Sequence, residues 1–110
     1  AEAYTQEGEI RDVRLTFNEV QAAQEFALYQ NKPNPWKGET VIGFELPAEG
    51  TARLTLHDIT GKTLWSRESV YTSGYHTVTL SGKEVPVSGV VYYTLESGSY
   101  TATKKMIIIP

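Results

Sequence analysis

The sequence predicts an all-β protein, an antiparallel sandwich of about seven strands. Three observations carry that expectation. Short stretches such as Glu39–Leu46 and Thr51–His57 alternate apolar with polar residues, the period of a half-buried strand. Clusters of turn-forming residues separate these stretches at intervals of roughly 8–12 residues. No stretch sustains a helical period with caps at its ends.

Taken in order, residues 1–25 read as the end of a preceding domain plus a linker, and 26–110 as one β domain. Arg11–Phe17 places Val13, Leu15 and Phe17 on one face, as a strand does, and the polar run Asn18–Glu25 has no clear period and reads as linker, with one weak helical turn as the alternative. Phe26 opens the run Phe-Ala-Leu-Tyr-Gln-Asn-Lys-Pro-Asn-Pro-Trp, ending at Trp36. Pro33 and Pro35 fix their own backbone and push Lys32 and Asn34 toward extended or turn geometry. Asn31 and Asn34 can cap the resulting turns. The run is therefore a short apolar strand followed by a rigid, kinked segment.

Glu39–Leu46 follows with Ile42, Phe44 and Leu46 on one side, and Pro47–Gly50 breaks it. Thr51–His57 turns Ala52, Leu54 and Leu56 inward. Asp58–Gly61 reads as a hairpin turn in which Gly61 takes positive φ. Lys62–Val70 returns with Leu64, Trp65 and Val70 as candidate buried residues. Tyr71–Gly74 is the next break, and Tyr75–Leu80 the next alternating strand. Ser81–Gly89 is loop. Val90–Glu96 is rich in β-branched and aromatic residues, as a central strand is. Ser97–Ser99 turns the chain into the last strand, Tyr100–Ile109.

Composition excludes several classes. The 110 residues suffice for one domain. With no cysteine there is no disulfide, thiolate metal site or cysteine nucleophile. A net charge of −3, from 10 basic and 13 acidic residues, argues against a nucleic-acid partner. The longest apolar run, Met106–Pro110, is far short of the roughly 20 residues of a membrane-spanning helix. The chain opens Ala1-Glu2-Ala3 without an initiator methionine or export signal, so it reads as the C-terminal piece of a longer polypeptide whose N-terminal cargo is missing.

No residue constellation points to catalysis, a metal or a cofactor. His57 and Asp58 are sequence neighbours on a strand and face opposite ways, so they form no dyad. None of the serines sits in a Gly-x-Ser-x-Gly elbow, and the only aspartates are Asp12 and Asp58. The protein is not expected to be an enzyme. The aromatics, Trp36, Trp65 and the tyrosines, read as core and edge packing; a carbohydrate-binding or adhesive face is the alternative. Tyr92 and Tyr93 point to opposite faces of their strand. Lys104 and Lys105, before Met106 and Ile107, either discourage edge-to-edge pairing or form a recognition edge.

These motifs, in their order, resemble the type A C-terminal sorting domain of the Bacteroidetes type IX secretion system. The run from Leu28 to Trp36 is similar to that family's opening Leu-Tyr-Gln-Asn-x-Pro-Asn-Pro-aromatic, with tryptophan where phenylalanine is commoner. Thr40–Pro47 looks like its first long strand. Leu54–Lys62 looks like its aspartate–glycine–basic hairpin, with His57 in place of an aromatic. Ser73–His76, Val87–Tyr93 and Tyr100–Ile107 resemble its later segments. The resemblance covers about Phe26 to Ile109. It implies an immunoglobulin-like sandwich that is not an enzyme and needs no cofactor. It also implies a sorting signal that takes a fused cargo through the periplasm and across the outer membrane, to the cell surface or the medium. The partners it implies are the outer-membrane translocon and a sortase-like surface peptidase, with a cut in the Asn18–Glu25 linker. Gly89, Tyr92, Tyr93, Lys104, Lys105, Met106 and Ile107 are the candidate recognition residues, and Asn31, Pro33, Asn34, Pro35 and Trp36 the structural opening motif. The terminal module is expected to present an accessible edge for strand addition or docking.

Overall fold

The computed structural model describes residues 25–110. The expected strand at Arg11–Phe17 and nearly all of the linker lie outside the described residues. Seven strands follow: β1 Ala27–Leu28, β2 Glu39–Leu46, β3 Gly50–His57, β4 Thr63–Tyr71, β5 Gly74–Ser81, β6 Gly89–Ser97 and β7 Tyr100–Ile108. They form a three-stranded sheet in the order β1-β2-β5 and a four-stranded sheet in the order β4-β3-β6-β7. Every strand pairing is antiparallel. The architecture is the expected immunoglobulin-like sandwich with one switch. In the constant-type arrangement the fourth strand lies beside the fifth; here β4 pairs with β3 in the other sheet.

Alternation builds the core. Ile42, Phe44 and Leu46 of β2 and Val78 and Leu80 of β5 face Ala52, Leu54 and Leu56 of β3, Val91, Tyr93 and Leu95 of β6, and Met106 and Ile108 of β7. Leu28, Trp36 and Val85 fill the sides. A buried side chain of this size contributes roughly 1.5–3 kcal/mol, so this shared layer holds the sheets together. The ion pairs of Arg53 with Glu68 and Glu96, at 3.4 and 3.6 Å, are about half exposed and add little.

The strand β4 departs from expectation. Leu64 and Trp65 are only partly buried and Val70 is 66% exposed. Register gives the reason: Val70 pairs with Thr51 on the outer face, while Trp65, Arg67 and Ser69 pair with the inward Leu56, Leu54 and Ala52. β4 is also the edge of its sheet, so even its inner face meets water. Tyr71 and Gly74, expected in the break, belong to β4 and β5.

The β3–β4 turn is organised by one carboxylate. Asp58 Oδ1 accepts from Thr60 N–H at 2.9 Å, Thr60 Oγ1 at 2.5 Å and Lys62 N–H at 3.0 Å. Gly61 sits at φ 91°, as expected. Bonds from the Thr60 hydroxyl, then from the Lys62 amide, hold the Asp58 carboxyl below its ordinary range. A carboxyl whose folded pKa is depressed stabilises the fold above its unfolded pKa and loses that contribution as pH falls through the folded value. The urea midpoint is therefore expected to fall with acidification below about pH 4. In Asp58→Ala that part of the acid dependence should be missing, as a pH series of urea melts would show.

Candidate functional site

Antiparallel pairing brings the sequence-predicted recognition residues together. Gly89 pairs with Ile108, Val90 with Ile107, Val91 with Met106, Tyr92 with Lys105 and Tyr93 with Lys104. The pleat then divides them. Tyr93 and Met106 are fully buried, whereas Tyr92 is half-buried and Lys105 and Ile107 are exposed on the outer face of the four-stranded sheet. Lys104 is half-buried on the inner face of an edge strand. An inward-pointing charge there deters a further strand from pairing. Tyr92 stacks on His57, ring centroids 6.0 Å apart. Gly89 opens β6 at φ 99°, with nothing within 4 Å of where a Cβ would stand. A side chain there is strained by the left-handed backbone alone, at roughly 1–2 kcal/mol.

The opening motif has a role that the sequence reading did not assign. In both sheets of this sandwich the outermost strand has one row of backbone groups with no neighbouring strand. On β7 that row includes the groups of Lys105, Ile107 and Ile109. Gln30 Nε2 donates to Lys105 C=O at 2.7 Å, and Ile107 N–H donates to Asn34 Oδ1 at 2.9 Å. Trp36 N–H donates to Ile107 C=O at 3.0 Å, and Ile109 N–H donates to Trp36 C=O at 2.8 Å. The segment thus forms a short parallel bridge along the last strand. The outer edge of β7 is closed over residues 105–109.

Buried polar groups fix this closure. Asn31, 1% exposed, donates from Nδ2 to Pro33 C=O and Thr40 Oγ1, both at 3.1 Å, and accepts from Gln30 at 2.8 Å. Its backbone N–H donates to Tyr93 Oη at 2.9 Å, and that hydroxyl donates to Tyr29 C=O at 2.9 Å. Burial pushes the Tyr93 hydroxyl up, against an opposing effect of the Asn31 amide. The hydroxyl therefore remains a donor at ordinary pH. Trp36 seats its ring in the core and points Nε1 at Met106 Sδ, 3.2 Å away. The peptides before Pro33 and Pro35 are both cis. Sequence reasoning missed Gln30, Thr40 and the Tyr93 hydroxyl as members of this cluster; two amide side chains beside a proline pair were the available signal.

No cluster of histidines and carboxylates able to hold a metal occurs among the described residues. His76 lies half-buried at the rim, with Nε2 2.8 Å from Thr72 C=O, which accepts, and its ring packing on Tyr71 and Phe44.

Comparison with known families places the chain. The model of the secretion system C-terminal sorting domain matches residues 32–109. The chain belongs to the type IX secretion C-terminal sorting domain family. No curated protein matches it. The matched span runs from the segment that closes the edge to the strand it closes. As a sorting domain of this family, which is non-catalytic, it serves as a C-terminal signal for type IX secretion across the outer membrane. It works with the machinery of that system, and no helix among the described residues is long and apolar enough to cross a membrane.

Proposed function

We propose that the sorting domain, residues 26–110, is read by the translocon on the outer face of β6 and β7, after which a sortase-like peptidase cuts the Asn18–Glu25 linker and releases or anchors a fused cargo. One observation carries this reading: the edge of the last strand is sealed while Lys105, Ile107 and Val90 stand exposed beside it and Tyr92 is half-buried among them. Recognition by side chains on that face needs no disruption of the sandwich. The chain also enters beside the start of β7, where Phe26 stacks on Tyr100 with centroids 5.1 Å apart. The nine residues of β7 then carry the chain about 30 Å away. Cargo and recognition face thus occupy opposite ends of the domain.

The test is a transplant. Residues 19–110 are fused to a periplasmic reporter in a host with an active type IX system, and the surface and medium are assayed. Lys105→Glu with Ile107→Glu, a surface pair, is expected to fold normally and to hold the reporter in the periplasm. Export of that variant at the normal rate would refute the outer-face reading. Retention of the parent fusion would refute a transferable signal.

A second reading, a carbohydrate-binding module, is favoured by one cleft of about 490 Å³ lined by Tyr29, Gln30, Lys32, Val41, Gly43 and Tyr75. The rings of Tyr29 and Tyr75 are 6.0 Å apart. Tyr75 lies over Gly43, where a Cβ would stand 2.5 Å from its hydroxyl. Glycine cover is a packing role in its own right. A glycan screen of the Tyr75→Ala variant against the parent separates the two uses.

A further inference from the structure

The four outer edges of the two sheets are treated unequally. β1 has only two residues, and its far side is tied to the other sheet through Tyr29, Gln30 and Asn31. β7 is covered over its last residues and turns Lys104 inward. β4 turns Arg67 inward, over the Trp65 ring at 5.0 Å and 3.5 Å from Glu84, and a register shift interrupts its pairing. These are the recognised devices that keep an edge from pairing.

β5 has none of them along its middle. Gly82 N–H donates to Gly38 C=O, and β5 pairs with β2 in register from Ser81↔Glu39 to Gly74↔Leu46. Antiparallel alternation then directs the even-numbered residues of β5 at β2 and the odd-numbered ones away. Ser81 agrees: its N–H goes to Glu84 Oε1 and its C=O accepts from the Glu84 amide. Tyr75, Thr77 and Thr79 are left with outward backbone groups that no described residue satisfies. All three side chains are exposed and uncharged, and threonine and tyrosine both favour strands.

We infer that this edge pairs with the same edge of a second copy of the chain, antiparallel and about a twofold axis at Thr77. The sequence of the edge is self-complementary in that register. Thr77 faces the partner's Thr77, Tyr75 faces the partner's Thr79, and on the inner face His76 faces the partner's Val78. No like charges meet, and threonine–threonine and aromatic–threonine pairs are favourable. The outward groups of Tyr75, Thr77 and Thr79 all find partners, because Thr77 falls on a hydrogen-bonded pair. The two short sheets become one of six strands, β1-β2-β5 continued by its symmetry mate. The points of chain entrance then lie on opposite outer strands, about 24 Å or more apart, which leaves room for fused cargo. So short an interface buries less than a standard one, so the dimer is weak and concentration-dependent. This inference stands apart from the sorting reading.

Sedimentation velocity of the full chain, up to about 1 mM, is expected to show a rise toward the dimer. Thr77→Lys places two ammonium groups across the axis and should weaken dimerisation at least about tenfold. Its Tm at low concentration should match the parent. The absence of cysteine gives a second readout. Cα atoms of a hydrogen-bonded pair are about 5.5 Å apart, within disulfide reach. Thr77→Cys is therefore expected to oxidise to a dimer well before Thr51→Cys on the opposite sheet. A chain that stays monomeric throughout, or a dimer that survives Thr77→Lys, or equal oxidation at the two positions, would overturn the inference. That holds also if a different partner is later found on this edge.

Discussion

Replacing Trp36 with alanine is expected to lower stability by about 3–5 kcal/mol, the cost of emptying a large aromatic site in a packed core. Small domains have only about 5–15 kcal/mol in total. The ring is 1% exposed and belongs to the core cluster, beside Met106, and Met106 is held in place by the pairing of β7 with β6. The backbone bonds of residue 36 to Ile107 and Ile109 do not depend on the side chain, but the ring positions the segment that makes them. A thermal melt is expected to shift down by at least about 12 °C. Trp36→Phe keeps most of the burial and loses the approach of Nε1 to Met106 Sδ, so it should cost no more than about 1.5 kcal/mol. Equal melting of Trp36→Ala and the parent would show that the ring does not clamp the two sheets.

Ending the chain after Thr103 is expected to abolish the cooperative fold. The cut removes Met106 and Ile108, which are 0% and 5% exposed, and exposes one side of Val91, Tyr93 and Trp36. Two lost core side chains alone cost about 4–10 kcal/mol, and the strand pairing of half of β6 goes with them. Dispersed amide resonances and a sigmoidal urea transition should both vanish. Removing Pro110 alone should change neither, since it is exposed and outside β7. A truncated domain that still melted cooperatively would show that β7 is an appendage of the sandwich. The prediction also bears on export tests: a tail deletion removes fold and address together, and only surface substitutions separate them.

What could be read from the sequence followed from where water lies. β2 and β3 each have one wet and one dry face, so Ile42, Phe44, Leu46, Ala52, Leu54 and Leu56 announce themselves by alternation. In β4 the same period carries no such label, because an edge strand meets water on both sides; Val70 is apolar and exposed, Arg67 polar and inward. Tyr92 and Tyr93 were legible as a divided pair. Which one is buried is decided by register, with Tyr93 opposite the inward Leu56. The closure of the β7 edge was beyond local pattern. It joins residues 70 to 75 positions apart and works largely through backbone amides, which every sequence has. The ordered motifs signalled the family, but the bonds that give the Asn-Pro segment its task became visible only with the strands in place.

The clasp between Gln30–Trp36 and Lys105–Ile109 makes the domain report on its own synthesis. An early segment of the domain and its last strand must meet before the sandwich is sealed, and loops that long close late. A polypeptide interrupted between Trp36 and Lys105 carries one half of the clasp and leaves core side chains uncovered on the other side. On the proposed reading, a chain broken off before its last strand has no folded signal to show.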